Sequence, residues 1–202
     1  MEIKLRLAKL EDAQDILDIY IPYINDSNVT FEYAAPSLND FENRMKIIMK
    51  NYPYIVAVCK EKIVGYAYAH KHMERAAYQW NVETSIYVKA DLKHQGIGTL
   101  LYRKLLEILK VQNVQNVYGC VTLPNENSEK MHYAFGFQLV GKFHNTGYKF
   151  GEWHDVGWFE LYIGDKDVTQ LNLKNSQEHL IMKEVLPIDE IEEQVDLILK
   201  SR

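Results

Sequence analysis

VETSIYVKADLKHQGIGT, running from Val82 to Thr99, is the stretch on which the fold of this chain turns. Glu83, Ser85 and Tyr87 alternate with Thr84, Ile86 and Val88, the period of a short strand. A polar bend follows, then Gly96 and Gly98. From Leu100 the run LLYRKLLEILK has the apolar spacing of a helix. A strand, a tight glycine bend and a helix start aim several backbone N–H groups in one direction, which suits phosphate oxygens. Glu83 sits just upstream, so one stretch supplies both an anion cradle and a proton acceptor.

Working outward, residues 2–8 alternate loosely as a first strand. Asp12 is placed to cap the helix AQDILDIYIPYI, with Pro22 kinking or ending it. NDSNVTFEY is a loop or short extended segment. Phe41, Met45 and Ile48 recur at helical spacing in a second helix that starts at Ser37 to Asp40. YIVAVC (54–59) and IVGYAYA (63–69) form a hairpin around Lys60-Glu61-Lys62. Residues 70–80 mix charge and aromatics. After the central strand and glycine helix, Val114 to Val121 gives another strand. Leu123 to Asn127 turns, Ser128 starts a short helix, and Gly136 ends it. Phe137–Lys142 and Trp158–Ile163 are the last two strands, joined by a long, aromatic- and glycine-rich loop.

This order predicts an α/β chain around one mixed sheet, with parallel strands on either side of the central helix. From residue 164 the character changes. Ile188, Ile191, Val195 and Leu199 trace an amphipathic helix that is a lid, a dimer element, a cap on the sheet or an unstable tail.

The 202 residues are 47% hydrophobic and 25% charged, which favours one soluble domain, 1–163, with 164–202 as a C-terminal extension. A net charge of -5 and the lack of a basic aromatic patch argue against nucleic acid. No apolar run reaches membrane-spanning length and the N-terminus lacks a signal-peptide core, so the cytoplasm is the expected location. Cys59 and Cys120 each sit in an apolar run and read as buried free thiols. His70 and His72 alternate on one strand face without a third ligand at useful spacing. They read as solvated histidines, and no metal is expected.

The segment KHQGIG resembles the acetyl-CoA pyrophosphate loop of the GCN5-related N-acetyltransferases (GNAT), with Lys93 where Arg or Gln is usual and Gly96 and Gly98 at the family spacing. Asn125, Ser128, His132, Gly136 and Phe137 match a second family pattern, with His132 at a place where Tyr is frequent. The chain is similar above all to the phosphinothricin N-acetyltransferase branch, from about Leu5 to Tyr162. That resemblance rests on Thr30-Phe31-Glu32, Gly65 to Ala69, Arg75 with Ala77-Tyr78, Glu83 with Ser85 and Tyr87-Val88, Leu123-Pro124-Asn125, and Gly147-Tyr148-Lys149, Gly151 and Trp153 to Val156. Met73 departs from it, standing where a basic residue often precedes Arg75.

The resemblance implies a mostly antiparallel GNAT sheet with a splayed parallel strand pair. It implies direct transfer of acetyl from acetyl-CoA to the primary amine of a small molecule, an amino acid or an analogue such as phosphinothricin, methionine sulfone or methionine sulfoximine. A polyamine or a peptide amine as acceptor, and an acyl-CoA-binding module without turnover, are the alternatives. By resemblance Glu83 is the base, and His132 is the acid for the thiolate, a second base or a packed histidine. Ile86, Tyr87, Val88, Lys93, His94, Gln95, Gly96, Ile97, Gly98 and Thr99 would hold the cofactor. Asn125 and Asn127 would hold its arm or cap a helix. The oxyanion would meet a backbone N–H near Tyr87 or Val88. Phe31, Glu32, Arg75 and Tyr78 would bind the amine substrate, Arg75 by clamping an acid group. Trp153, His154 and Asp155 read as pocket wall or dimer contact, and the resemblance implies a homodimer.

Overall fold

The computed structural model describes residues 2–164 and 183–201. Its strands are β1 (Lys4–Leu7), β2 (Tyr54–Cys59), β3 (Lys62–Lys71), β4 (Asn81–Val88), β5 (Asn116–Leu123), β6 (Gln138–Lys149) and β7 (Glu152–Tyr162). Its helices are α1 (Ala13–Asp26), α2 (Leu38–Met49), α3 (Ile97–Val111), α4 (Glu126–Ala134) and, near the C-terminus, α5 (Glu192–Lys200). The seven strands form one sheet in the order β1-β2-β3-β4-β5-β7-β6. Every neighbouring pair is antiparallel except β4 and β5, which run parallel as the sequence predicts.

Two apolar layers enclose the sheet. On one face α1 presents Ala13, Ile16, Tyr20 and Ile24, a stripe at helical spacing, and α2 presents Phe41 and Met45. They close on Tyr54, Val56 and Tyr66. On the other face Leu101, Leu105 and Ile108 of α3 pack on Ile55, Ala57, Val64 and Ala67. Each of the leucine, isoleucine, valine, phenylalanine and methionine side chains among them contributes about 1.5–3 kcal/mol when fully buried. Ile191, Val195 and Leu199 are buried in this second layer, with α5 against α3 and β1. The C-terminal helix is therefore a cap on the sheet, on its α3 side.

Several local expectations change. Helix α1 runs through Pro22 to Asp26. Asp12 makes no side-chain cap; its carboxylate takes the Lys9 N–H at 2.7 Å and pairs with Arg6 at 2.6 Å. The last two strands are far longer than predicted, because most of HNTGYKFGEWHDVG is strand. Only Phe150 and Gly151 turn, both at positive φ, the pattern of a two-residue hairpin. The alternation of these strands is broken by register shifts between Leu139 and Gly141 and between Phe143 and Gly147. Those shifts hide the strand period in the sequence. Cys59 is buried, but Cys120 is exposed. Val117 and Val121 turn into the α3-side core, so Cys120 lies with Tyr118 on the opposite face of β5, where it is open to solvent.

Candidate active site

Strands β4 and β5 pair at only three positions, from Asn81 with Asn116 to Glu83 with Tyr118. Beyond Glu83, β4 keeps only β3 as a neighbour, while β5 continues alongside β7 to Leu123. The sheet thus opens at Glu83. The Thr84 hydroxyl marks the parting: it meets the Tyr118 carbonyl at 3.2 Å and the Tyr102 hydroxyl at 2.9 Å. A side chain there takes over a backbone carbonyl at the end of the ladder.

The glycine bend lies across this opening. Gly96 adopts φ +78, the left-handed region, with open space where a Cβ would stand. The first N–H of the helix to find a backbone carbonyl is that of Leu100, onto Gly96 at 2.9 Å. The N–H groups of Ile97, Gly98 and Thr99 therefore form the unsatisfied N-terminus of α3, with the positive end of its dipole. They border a cleft of about 330 Å³. Ile86 and Val88 of β4 form its floor, Lys93, His94, Gly96, Ile97, Gly98 and Thr99 one wall, and Asn125, Asn127, Ser128 and Met131 the other. The structure thus gathers ten of the twelve residues expected to hold a cofactor. Gln95 is not among the lining residues, and the Tyr87 ring turns to the opposite face, edge-on to Tyr20 and Tyr23. Lys93 adds a cation, its Nζ 4.6 Å from the Tyr23 ring centre.

The two asparagines differ in their work. Asn125 caps α4, accepting the Ser128 N–H at 3.2 Å, while Glu129 accepts the Asn125 N–H at 3.0 Å. Asn127 lines the cleft and makes no such bond. The Val88 N–H reaches the Tyr23 hydroxyl at 3.4 Å and the Val88 carbonyl accepts from it at 2.6 Å. That tyrosine was not singled out in the sequence; a polar ring in an amphipathic helix carries no signal of its own.

Glu83 lies on the face of the sheet opposite to Ile86 and Val88, at the point of the opening. Its side chain keeps 22% exposure, and its carboxylate is 3.8 Å from His72 Nδ1. The expectation of a solvated His72 is corrected: the ring is stacked on Tyr118 at 4.4 Å and only 13% of the side chain is exposed. Cys120 shares this face; the residue is exposed but its sulfur is partly desolvated, and that first, with the Glu83 charge second, pushes the thiol up to about 12.

His132 sits behind the cleft rather than in its lining. It is buried among Tyr102, Phe137 and Phe159. Its Nδ1 donates to the Ser128 carbonyl at 2.8 Å, so the neutral ring carries its lone pair on Nε2. That nitrogen lies flat against Gly119: a Cβ there would stand 2.4 Å from it. Burial lowers the His132 pKa, against the bond to Ser128. At rest His132 is a proton acceptor, not the charged donor that an acid role needs.

The substrate candidates fall in three places. Phe31 packs on Gly147 of β6 and stacks with His154. Glu32 is engaged by Arg44 at 2.6 Å and by the Tyr20 hydroxyl at 3.1 Å. Arg75 and Tyr78 are exposed around a single 3-10 turn, and among the described residues Arg75 has no ion-pair partner. The loop bearing Phe31 is pinned to the last hairpin by Lys149, whose Nζ donates to the carbonyls of Ile24, Ser27 and Thr30 at 2.7–2.8 Å. His154 adds a contact to Asn28 at 3.3 Å. Asp155 is used elsewhere: Lys142, the Asn145 N–H and His144 hold its carboxyl at about 2.

The sequence and the fold of this chain are shared with known proteins. Residues 5–158 match the model of the acetyltransferase (GNAT) domain. A phosphinothricin N-acetyltransferase of Streptomyces viridochromogenes is 32% identical over 78% of this chain and 86% of its own. An L-methionine sulfoximine/L-methionine sulfone acetyltransferase of Pseudomonas aeruginosa is 26% identical over 81% and 96%. Among solved structures, a phosphinothricin acetyltransferase from Sinorhizobium meliloti in complex with AcCoA superposes with a TM-score of 0.79 at 31% identity, covering 81% of this chain and 90% of that one. The chain therefore belongs to the GNAT family of acetyl-CoA-dependent N-acetyltransferases, in its phosphinothricin acetyltransferase-like branch.

Proposed function

We propose that the chain transfers acetyl from acetyl-CoA to the primary amine of a small amino acid or amino-acid analogue, of the phosphinothricin or methionine sulfone type, with Glu83 as general base. The observation that carries this reading is the placement of Glu83 where β4 and β5 part, with the free N-terminus of α3 on the other face of the sheet. The anion cradle and the base thus meet at one opening from opposite sides.

Each group has a defined duty. The N–H groups of Ile97, Gly98 and Thr99, with Lys93 beside them, hold the pyrophosphate. Asn127 holds the pantetheine arm, and Ile86 and Val88 form the apolar floor under it. Acetyl-CoA supplies the thioester whose acyl group moves. An ammonium has no lone pair, so Glu83 must first take a proton from it. The edge of β4 beyond Glu83 has no β5 partner, and its backbone offers donors to the carbonyl oxygen. His132 can return a proton to the thiolate only after taking one up, because its resting form is neutral at Nε2. Arg75 is an available fork for a substrate carboxylate or phosphinate. The reading includes a cytoplasmic homodimer.

A thiol-release assay with acetyl-CoA tests it against phosphinothricin, methionine sulfone, methionine sulfoximine, other amino acids, polyamines and short peptides. Release with one of the amino-acid acceptors is expected, with a kcat loss of about 10²–10⁴-fold in Glu83→Gln at unchanged acetyl-CoA affinity. Release only with polyamines or peptides, or an unaffected Glu83→Gln, would overturn the reading.

A further inference from the structure

His72 stands out because a buried polar atom without a partner is rare. Among the described residues its Nδ1 makes no hydrogen bond, although it is shut away from solvent. The ring is fixed on both sides. It stacks on Tyr118 with centroids 4.4 Å apart and 18° between planes, and meets the edge of Trp158 at 5.4 Å. The backbone is anchored too, the His72 N–H reaching the Asn81 carbonyl at 3.2 Å. What the free Nδ1 faces is the Glu83 carboxylate, 3.8 Å away.

We propose that His72 is the positioning residue of Glu83 and the group onto which Glu83 passes the proton it takes from the amine. The proposal rests on the reading of Glu83 as base. In the proposed relay the ring carries its proton on Nε2 and turns its Nδ1 lone pair toward Glu83. Glu83 takes a proton from the substrate ammonium and frees the nitrogen lone pair for attack. The new Glu83 O–H donates to Nδ1, so the proton moves to the ring and the carboxylate is restored beside an imidazolium. The imidazolium then releases that proton to water, which returns both groups to their starting state. The gap lies outside hydrogen-bond range, so the carboxylate closes on the ring by about 1 Å when it becomes a donor.

The chemistry favours this order. A carboxylate is a weak acceptor for a proton from an ammonium, since reference carboxylates titrate near ~4.3 and imidazoles near ~6.5. At those reference values an imidazole holds a proton about 100-fold more firmly than a carboxylate, so a ring is chemically the better store. The other groups around the pair are already engaged or unsuited. His70 lies opposite Glu83 in the β3–β4 register, but its Nδ1 meets the Lys71 carbonyl at 3.0 Å. From β5, Tyr118 donates to Glu160 of β7 at 2.8 Å. Cys120, also from β5, keeps its thiol proton. Lys71 turns outward to Glu74.

Two measurements on the full chain test this. The first needs no acceptor amine, so it stands apart from the identity of the substrate. The pH midpoint of the His72 Cε1–H resonance is followed in the unaltered protein and in Glu83→Gln. A fall of half a unit or more on removing the carboxylate charge is expected, and coincident curves would overturn the proposal. The second compares His72→Phe and His72→Gln with the unaltered enzyme, by thiol release with the best acceptor among phosphinothricin, methionine sulfone and methionine sulfoximine. His72→Phe keeps the stack on Tyr118 and removes both nitrogens. The expected result is a tenfold or greater loss of kcat in both variants, little change in KM for acetyl-CoA, and an altered acid limb of kcat/KM. A kcat loss with an unchanged acid limb would make His72 a packing residue and overturn the proposal. Loss of turnover in Glu83→Gln with intact turnover in both His72 variants would leave Glu83 as base and remove His72 alone.

Discussion

At the scale of single residues, His132 shows how a motif position and its chemistry can separate. Its spacing from Asn125 and Gly136 is visible in the sequence. Its tautomer is not, because that follows from a carbonyl one helical turn back, in an aromatic box drawn from α3, β7 and the turn after α4. The lowered pKa has a consequence for stability. Above the ordinary histidine value both folded and unfolded states hold a neutral ring, and the full contribution is present. As the pH falls through about 6.5, the unfolded chain takes up the proton first, and stability is lost until the lower folded value is passed. Asp12 and Asp155, both held below the carboxylate value of 3.8, act in a more acidic window. Thermal melts between pH 7.5 and 5.5 should therefore show a falling Tm in the unaltered protein and a flatter dependence in His132→Gln. Equal slopes would mean that the ring is not held neutral by its surroundings. His72 makes the complementary point. Its alternation with His70 is legible, but the β3–β4 register sets His70 opposite Glu83, and only the stack on Tyr118 of β5 brings His72, one residue past β3, to 3.8 Å from the carboxylate.

At the scale of elements, periodicity served where one pattern ran unbroken. The stripes of α1, α2 and α3 and the strand pair around the glycine bend form as their spacing predicts. It failed in β6 and β7, where two register shifts and exposed aromatic faces erase the alternation. That hairpin matters to the site because it carries Lys149. The Lys149 ammonium is buried, and three backbone carbonyls of the α1 end and the following loop depend on it. Nothing local in Gly-Tyr-Lys-Phe-Gly announces such a long-range cage, whose partners lie more than a hundred residues away. Replacing Lys149 by Met keeps much of the apolar stem and leaves the three carbonyls without their donor. Hydrogen bonds to charged groups contribute about 1.5–3 kcal/mol, and an abandoned buried acceptor costs about 1–3. The expected loss is therefore about 2–4 kcal/mol in denaturant melts. A raised KM for the amine should accompany it, because the loop carrying Phe31 comes loose from Gly147, while acetyl-CoA affinity holds. A change confined to acetyl-CoA affinity would show that the loop serves the other side of the opening.

At the scale of the whole molecule, the chain extends past the acetyltransferase match, which ends at residue 158, and the sequence left four roles open for the added helix. Its amphipathic period identifies a buried stripe but not the surface that receives it. The structure places Ile191, Val195 and Leu199 in the same apolar layer as Leu101, Leu105 and Ile108. Polar contacts pin both ends of the segment: Gln112 Nε2 donates to the Leu186 carbonyl at 2.6 Å, and Lys104 to the Ser201 hydroxyl at 2.7 Å. Lys104 is itself buried and paired with Glu107, so it depends on this cover. None of these residues lines the cleft below Gly96. A cap and a lid then differ in what their removal changes. Val195→Asp places an unpaired charge in a fully buried position and removes the packing of a core valine. A loss of about 3 kcal/mol or more is expected from those two effects together. Truncation after Gly164 should lower the Tm further, since it uncovers Lys104 and the outer face of α3. In both variants, acetyl-CoA affinity measured below the melting transition should stay within about twofold of the unaltered protein, a difference of only ~0.4 kcal/mol. A large fall in acetyl-CoA affinity with an unchanged Tm would instead identify the helix as part of the cleft, and the cap assignment would fail.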